Sequence, residues 1–165
     1  VEAGAYELDL QPIATETLVQ TAIRRMEGQF QHKGISLTTS LSPDLPLIQG
    51  NLDRLLQVLI NLLSNACQYT PEGGEVRVQA SLQGNEVVIT VADNGIGLPA
   101  EHIPHIFTRF YRADKSRSRQ AGGGSGIGLT IARHLVEAHG GRIWAESAGS
   151  GQGSTFAFAL PVHKH

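Results

Sequence analysis

Glu86-Val87-Val88-Ile89-Thr90-Val91-Ala92-Asp93-Asn94-Gly95-Ile96-Gly97 is the stretch whose reading decides the fold. Its first seven residues are rich in β-branched side chains and read as a strand. An aspartate stands where that strand ends, and two glycines behind it let the backbone turn away while the carboxylate stays half buried. Immediately upstream, residues 75–82 form a second alternating run, joined to the first through Gln83-Gly84-Asn85. That spacing predicts a β-hairpin.

Outward from the hairpin, Asn51 is placed as the N-cap of a helix over 52–69, with Asp53 in its first turn. Leu52, Leu55, Leu56, Leu59, Leu63 and Ala66 form its apolar side, and Pro71, Gly73 and Gly74 end it. Further upstream, residues 1–12 read as an extended lead-in closed by Pro12. A helix over 13–33 follows, with Val19, Ile23, Met26 and Phe30 on one face and Gly34 as its stop. Short strands at 35–41 and 47–49, separated by Pro43 and Pro46, are expected to complete the sheet. Downstream, an irregular helix-prone stretch (99–111) leads into a polar segment (112–126). A third helix over 128–139 stops at Gly140-Gly141, and strands at 142–147 and 155–162 close the chain. This order predicts an α+β protein: a two-layer α/β sandwich, with a mixed, mostly antiparallel sheet against about three helices. Residues 1–165 make one domain, with an N-terminal part (1–50) and a motif-bearing part (51–162).

Composition narrows the function. Of 165 residues 41% are hydrophobic and the net charge is -2, which argues against disorder and gives no general reason for nucleic-acid binding. The apolar runs are too short for a membrane span, and no signal-peptide pattern is present. The single cysteine, Cys67, suits a reducing, cytoplasmic setting, although a parent protein with a membrane anchor is compatible with these residues. Glycine is the anomaly. Ten of the 19 (Gly95, Gly97, Gly122, Gly123, Gly124, Gly126, Gly128, Gly149, Gly151, Gly153) cluster after residue 92. Five of the 13 basic residues (Arg109, Arg112, Lys115, Arg117, Arg119) crowd just before the middle cluster, which points to an anionic ligand.

Three groups of residues carry candidate chemistry. Gln57, Asn61 and Asn65 recur at four-residue intervals, so their amides share one helix face. An asparagine oxygen can ligate Mg²⁺ without adding charge beside a polyphosphate, although the same row also suits a plain polar helix surface. Asp93 can accept a hydrogen bond from an exocyclic amine such as that of adenine, worth about 1.5–3 kcal/mol. An Asx-capped turn is its alternative. Gly122-Gly123-Gly124-Ser125-Gly126-Ile127-Gly128 runs into a helix start, where bare amides and the helix dipole favour phosphate. It is neither a Walker loop nor a Rossmann turn, and a flexible linker is the bland reading. His102 and His105 lack a third ligand nearby, so capping or solvated roles are expected for the histidines rather than metal binding.

Taken in order, these motifs resemble the catalytic ATP-binding domain of sensor histidine kinases, in the wider group that includes gyrase, Hsp90 and MutL ATPases. The resemblance runs from about Asn51 to Leu160. Leu55-x-Gln57-x-x-x-Asn61-x-x-x-Asn65-Ala66 matches the asparagine box, Asp93-x-Gly95-x-Gly97 the first glycine box, and Phe107-x-x-Phe110-Tyr111-Arg112 the phenylalanine box. Gly124-x-Gly126-x-Gly128-Leu129 and Gly151-x-Gly153-Ser154-Thr155-Phe156 match the remaining glycine boxes.

The resemblance implies a Bergerat-type ATP-binding fold with a mobile ATP lid over about 112–126, and ATP and Mg²⁺ as cofactors. It implies that Asn65 ligates Mg²⁺, that Asn61 supports the phosphates or metal, and that Tyr69 packs on the adenine whose amino group Asp93 receives. Gly95, Ile96 and Gly97 form the turn beside it. Arg112 reaches the γ-phosphate, and backbone of Gly124, Ser125, Gly126, Ile127, Gly128 and Leu129 surrounds the phosphates. Thr155 sits near the adenine through Asp93 or a bridging water. Gln68 departs from the family, which usually has lysine there. Asn61 stands where ATP-hydrolysing relatives carry a glutamate base, so phosphoryl transfer is favoured over hydrolysis. No histidine here has the context of a phosphoacceptor. The implied partners are therefore a histidine-bearing dimerisation domain of the same kinase, on residues beyond this chain, and a downstream response regulator, with no nucleic acid and no membrane contact. The rival readings are an ATP-hydrolysing gyrase/Hsp90/MutL-like module and a nucleotide-binding scaffold without transfer activity.

Overall fold

The computed structural model describes residues 9–95, 125–147 and 153–163. Along these the chain forms β1 (Gln11–Ile13), α1 (Thr15–Lys33), β2 (Ser36–Leu41), β3 (Ile48–Gly50), α2 (Leu52–Tyr69), β4 (Glu75–Gln83) and β5 (Glu86–Asp93). Then come α3 (Ser125–Ala138), β6 (Arg142–Ser147) and β7 (Ser154–Pro161). The lead-in before residue 9, the helix-prone stretch 99–111, the polar segment as far as residue 124 and the turn at 148–152 lie outside the described residues.

Five strands form the main sheet in the order β2-β4-β5-β7-β6. β2 runs parallel to β4, and every other pairing is antiparallel. The β4–β5 hairpin closes from Gln83 opposite Glu86, with Gly84 at φ 63 in the first loop position, where a two-residue turn demands glycine. Strand alternation divides the sheet into two faces. Val76, Val78, Ala80, Val87, Ile89, Val91, Phe156, Phe158 and Leu160 are buried on the helix side. On the opposite face, Val88, Ala157 and Ala159 form a small separate cluster beside Trp144. The result is the two-layer α/β sandwich that the element order implied.

α2 occupies the middle of the helical layer, packing on α1 at one side and α3 at the other. Its buried side is correspondingly wide: Val58 and Leu62, absent from the expected apolar face, are fully buried along with Leu55, Leu59 and Leu63. Leu52, expected on that face, is 36% exposed because the first residue of the helix lies before the packed region. Asn51 is the N-cap, its Oδ1 accepting from Arg54 N at 3.1 Å.

Three expectations shift. The strand at 47–49 does not complete the main sheet. Instead β3 pairs antiparallel with β1 in a separate two-stranded ribbon, tied to the end of the chain by an Ile48–Val162 bridge. That pairing also moves the start of α1 to Thr15, since Pro12 and Ile13 belong to the ribbon. α3 begins at Ser125 rather than at Gly128. Glycine costs about 1 kcal/mol in a helix interior. α3 places Gly126 and Gly128 in its first turn, and the packing of Leu129, Ala132, Leu135 and Val136 stabilises the helix beyond them. Among the described residues no helix is long and apolar enough to cross a membrane.

Candidate functional site

The asparagine row sits on one edge of α2. Gln57 and Asn61 are half-buried and Asn65 is 8% exposed, so burial deepens towards the C-terminal end of the helix, where half-buried Tyr69 follows. Four residues, about 6 Å of rise along the helix, separate successive members. A single long ligand laid along the helix would meet them in turn.

Asp93 is the last residue of β5 and is half-buried. Its Oδ1 accepts from Gly95 N at 2.9 Å, and its Oδ2 accepts from Ser154 Oγ at 3.0 Å. Burial pushes the carboxyl above its ordinary pKa, opposed by the hydrogen bonds from Gly95 and Ser154. The Asx-turn and ligand readings of Asp93 are therefore compatible. The turn uses one lone pair on Oδ1, and a carboxylate offers about four acceptor positions, so capacity remains for an amine.

Glycine is required in this turn by close approach. A Cβ on Gly95 would collide with the Tyr69 carbonyl and lie 3.0 Å from Asp93 Oδ1. The turn thus presses against the last residue of α2, bringing Asp93 and Tyr69 to one place. Gly153, at φ 78, backs the same strand end, where a Cβ would strike the carbonyl of Asp93. Asn94 fixes the far side, its Oδ1 accepting from Glu75 N at 2.8 Å.

Strand register corrects one site residue. Asp93 pairs with Ser154, whereas Thr155 pairs with Ala92 and so projects from the other face of the sheet. A direct contact of Thr155 with Asp93 is excluded by this alternation, and Ser154 holds that place. The signal was in the sequence: with Asp93 ending β5 and Phe156 pointing into the core, period-two alternation puts residue 154 on the carboxylate's face.

At the start of α3, the backbone of Ser125, Gly126, Ile127 and Gly128 forms the first described turn of the helix. The side chain of Leu129 is buried in the hydrophobic core, which leaves only its backbone for the expected role. Ile96, Gly97, Phe107, Phe110, Tyr111, Arg112, Gly122, Gly123, Gly124 and Gly151, with the histidines His102 and His105, lie outside the described residues. A further histidine acts as a cap: His139 Nδ1 lies 2.7 Å from Leu135 O, and its Nε2 accepts from Asn51 N at 3.1 Å. This ties the C-terminus of α3 to the N-terminus of α2.

The residues present suit a magnesium-nucleotide. They combine a half-buried carboxylate with spare acceptor capacity, a glycine turn that no side chain could share, a buried asparagine, and a glycine-bearing helix start for phosphate. Among the described residues no group of three or more His, Cys, Asp or Glu side chains converges on a metal position. Asn65, 8% exposed, is the buried amide of the row on α2.

Comparison with known proteins agrees. Residues 50–164 match the family model of histidine kinase-, DNA gyrase B- and HSP90-like ATPases. The adaptive-response sensory kinase SasA of Thermosynechococcus vestitus is 41% identical over 160 residues, covering 96% of this chain and 40% of that protein. The sensor histidine kinase WalK of Bacillus subtilis is 46% identical over 122 residues, covering 72% of this chain and 20% of that protein. Among solved structures, full-length ShkA in complex with AMPPNP superposes with TM-score 0.84 at 32% identity, over 99% of this chain and 34% of ShkA. The catalytic domain of the histidine kinase ThkA superposes with TM-score 0.80 at 25% identity, over 94% of this chain and 99% of that domain. The chain thus spans well under half of the sensory kinases it matches, but nearly the whole of an isolated catalytic domain. It belongs to the histidine kinase-, DNA gyrase B- and HSP90-like ATPase family, as an ATP-binding catalytic domain of the histidine kinases.

Proposed function

We propose that this domain seats Mg-ATP between α2, the end of β5 and the start of α3, and transfers the γ-phosphoryl group to a histidine on a separate dimerisation domain. The observation that carries the reading is the Asp93 carboxylate, held by Gly95 and Ser154 with acceptor capacity to spare, in a turn whose Gly95 lies against the Tyr69 carbonyl. Asp93 accepts the adenine amino group and Tyr69 packs on the ring. Gly95, Ile96 and Gly97 shape the turn around the base. Asn65 offers its amide oxygen to Mg²⁺, and Asn61 orients the phosphates. Arg112 and the amides from Gly124 to Leu129 neutralise the triphosphate. Mg²⁺, when bound, draws charge from the β- and γ-phosphates.

In the transfer step, the bond from the γ-phosphorus to its bridging oxygen breaks while a P–N bond to the acceptor imidazole forms, and ADP leaves. Asn61 supports transfer over hydrolysis because an amide has no basicity with which to activate water. The solved structure of ShkA holds AMPPNP, and ThkA has been captured with its response regulator TrrA. By analogy, the phosphoryl group here passes on to a response regulator.

The test is to mix the domain with isolated histidine-hairpin domains and γ-labelled ATP. Acid-labile label on the hairpin is expected, with little on the catalytic domain alone. Steady release of inorganic phosphate without an acceptor would instead favour an ATP-hydrolysing module.

A further inference from the structure

The two long helices end differently. α1 closes on Gly34 at φ 77, and the N–H groups of Gly34 and Ile35 return to Gln31 O and Phe30 O. α2 instead runs into Thr70, extended at φ -105 and ψ 123, followed by Pro71, which has no N–H to return. No basic residue stands in the last turn of α2. Its terminal carbonyls are served from outside: Lys33, the last residue of α1, donates from Nζ to Cys67 O at 2.6 Å and to Gln68 O at 3.1 Å. A cation at this end both satisfies open carbonyls and opposes the negative pole of the helix dipole.

The residue after this pair is Tyr69. Its carbonyl backs Gly95, and the N–H of Gly95 holds Asp93 Oδ1. Further bonds tie the same corner together. Gly73 N donates to Gly34 O at 2.9 Å, Ser36 N to Gly74 O at 3.0 Å, and Glu75 N to Asn94 Oδ1 at 2.8 Å. A continuous path of hydrogen bonds and backbone contact therefore runs from the Lys33 ammonium to the Asp93 carboxylate.

We propose that Lys33 is a positioning residue of the nucleotide site: by capping α2 it sets the height of Tyr69 and, through Gly95, the orientation of Asp93. This rests on the assignment of Asp93 to the adenine amine. Lys33 acts through the backbone rather than by touching the nucleotide. The groove it lines, of about 770 Å³, is shared with Gly28, Gln29, His32, Cys67 and Glu72, and none of Asn61, Asn65, Tyr69 or Asp93 borders it. With glutamine at position 68, α2 has no cation of its own there, and Lys33 supplies one from the neighbouring helix.

The test uses Lys33→Met, which keeps the aliphatic stem and removes the donor, and Lys33→Arg, which restores a cationic donor. Each is titrated with ATP and with ADP, and the exchange rate of the Gly95 amide is followed by NMR without nucleotide. Lys33→Met is expected to weaken ATP and ADP by the same factor, about 3- to 10-fold, and to speed exchange at Gly95, while Lys33→Arg returns both towards wild type. Unchanged affinity with unchanged exchange would overturn the proposal. So would a loss clearly greater for ATP than for ADP, the mark of a direct phosphate contact, or a failure of arginine to rescue. If the wild-type domain bound neither nucleotide, the functional reading would fall by itself, and exchange at Gly95 would still decide whether Lys33 governs the turn.

Discussion

The hydroxyl of Ser154 donates to Asp93 Oδ2 at 3.0 Å, across the final residue pair of the β5–β7 ladder. The bond holds one carboxylate oxygen from the flank while the Gly95 amide holds the other, so the side chain has little freedom to rotate before a ligand arrives. Such preorganisation lowers the entropy lost on binding.

Ser154 and Thr155 should consequently behave differently despite their similar chemistry. Ser154→Ala removes one hydrogen bond to a charged group and is expected to weaken ATP binding about 3- to 20-fold. Thr155→Val, on the opposite face of the sheet, should leave affinity within about twofold, since it touches no part of the Asp93 arrangement. Calorimetric titration of both variants checks this, and the reverse order of effects would show the register argument to be misapplied.

His139 predicts an acid-sensitive fold. Burial holds its pKa below the ordinary 6.5, against a smaller upward pull from the Leu135 carbonyl. The unfolded chain therefore binds a proton at a higher pH than the folded one does. Stability is full above about pH 6.5 and declines as pH falls through the window below it. Protonation would also turn Nε2 from an acceptor into a donor facing the Asn51 N–H. His139→Gln should be less stable at pH 7, by about 1–2 kcal/mol, yet show a shallower loss between pH 6.5 and 5. Denaturant melts across that range decide it, and an unaltered slope would remove His139 as the cause.

Much of this was legible in the sequence, for identifiable reasons. Both ends of α2 are legible because Asn51 caps it and Pro71 forbids its continuation. The hairpin was readable because Gly84 sits in the turn between two alternating runs. The errors arose where tertiary pairing overrides local signals. Ile13 looks like the start of a helix until β3 lies beside it, and Gly126 and Gly128 look like loop until the apolar face of α3 packs. Lys33 was invisible as a cap because it is 34 and 35 residues from the carbonyls it serves. Ser154 and Thr155 differ by one position, and in a strand one position means the opposite face, so only Ser154 shares the face of Asp93.

Asn65 separates metal from base recognition. Asn65→Ala should weaken binding of Mg-ATP about 10-fold or more, while binding of ATP in EDTA changes much less, because the amide acts through the cation. Equal losses in the two conditions would place Asn65 on the nucleotide itself and remove its metal role.

The most direct test is calorimetric titration of Mg-ATP into the wild-type domain and Asp93→Asn, paired with thermal melts of both without nucleotide. Asparagine can keep the Gly95 bond while losing the charge that burial opposes. The folded-state pKa of Asp93 is raised, so its ionisation disfavours folding above the ordinary carboxylate pKa, and the variant should melt at the same temperature or higher at neutral pH. Its affinity for ATP should nevertheless fall about 10- to 100-fold, from loss of a charged hydrogen bond worth about 1.5–3 kcal/mol. Undiminished affinity in a folded Asp93→Asn domain would contradict the account at its centre.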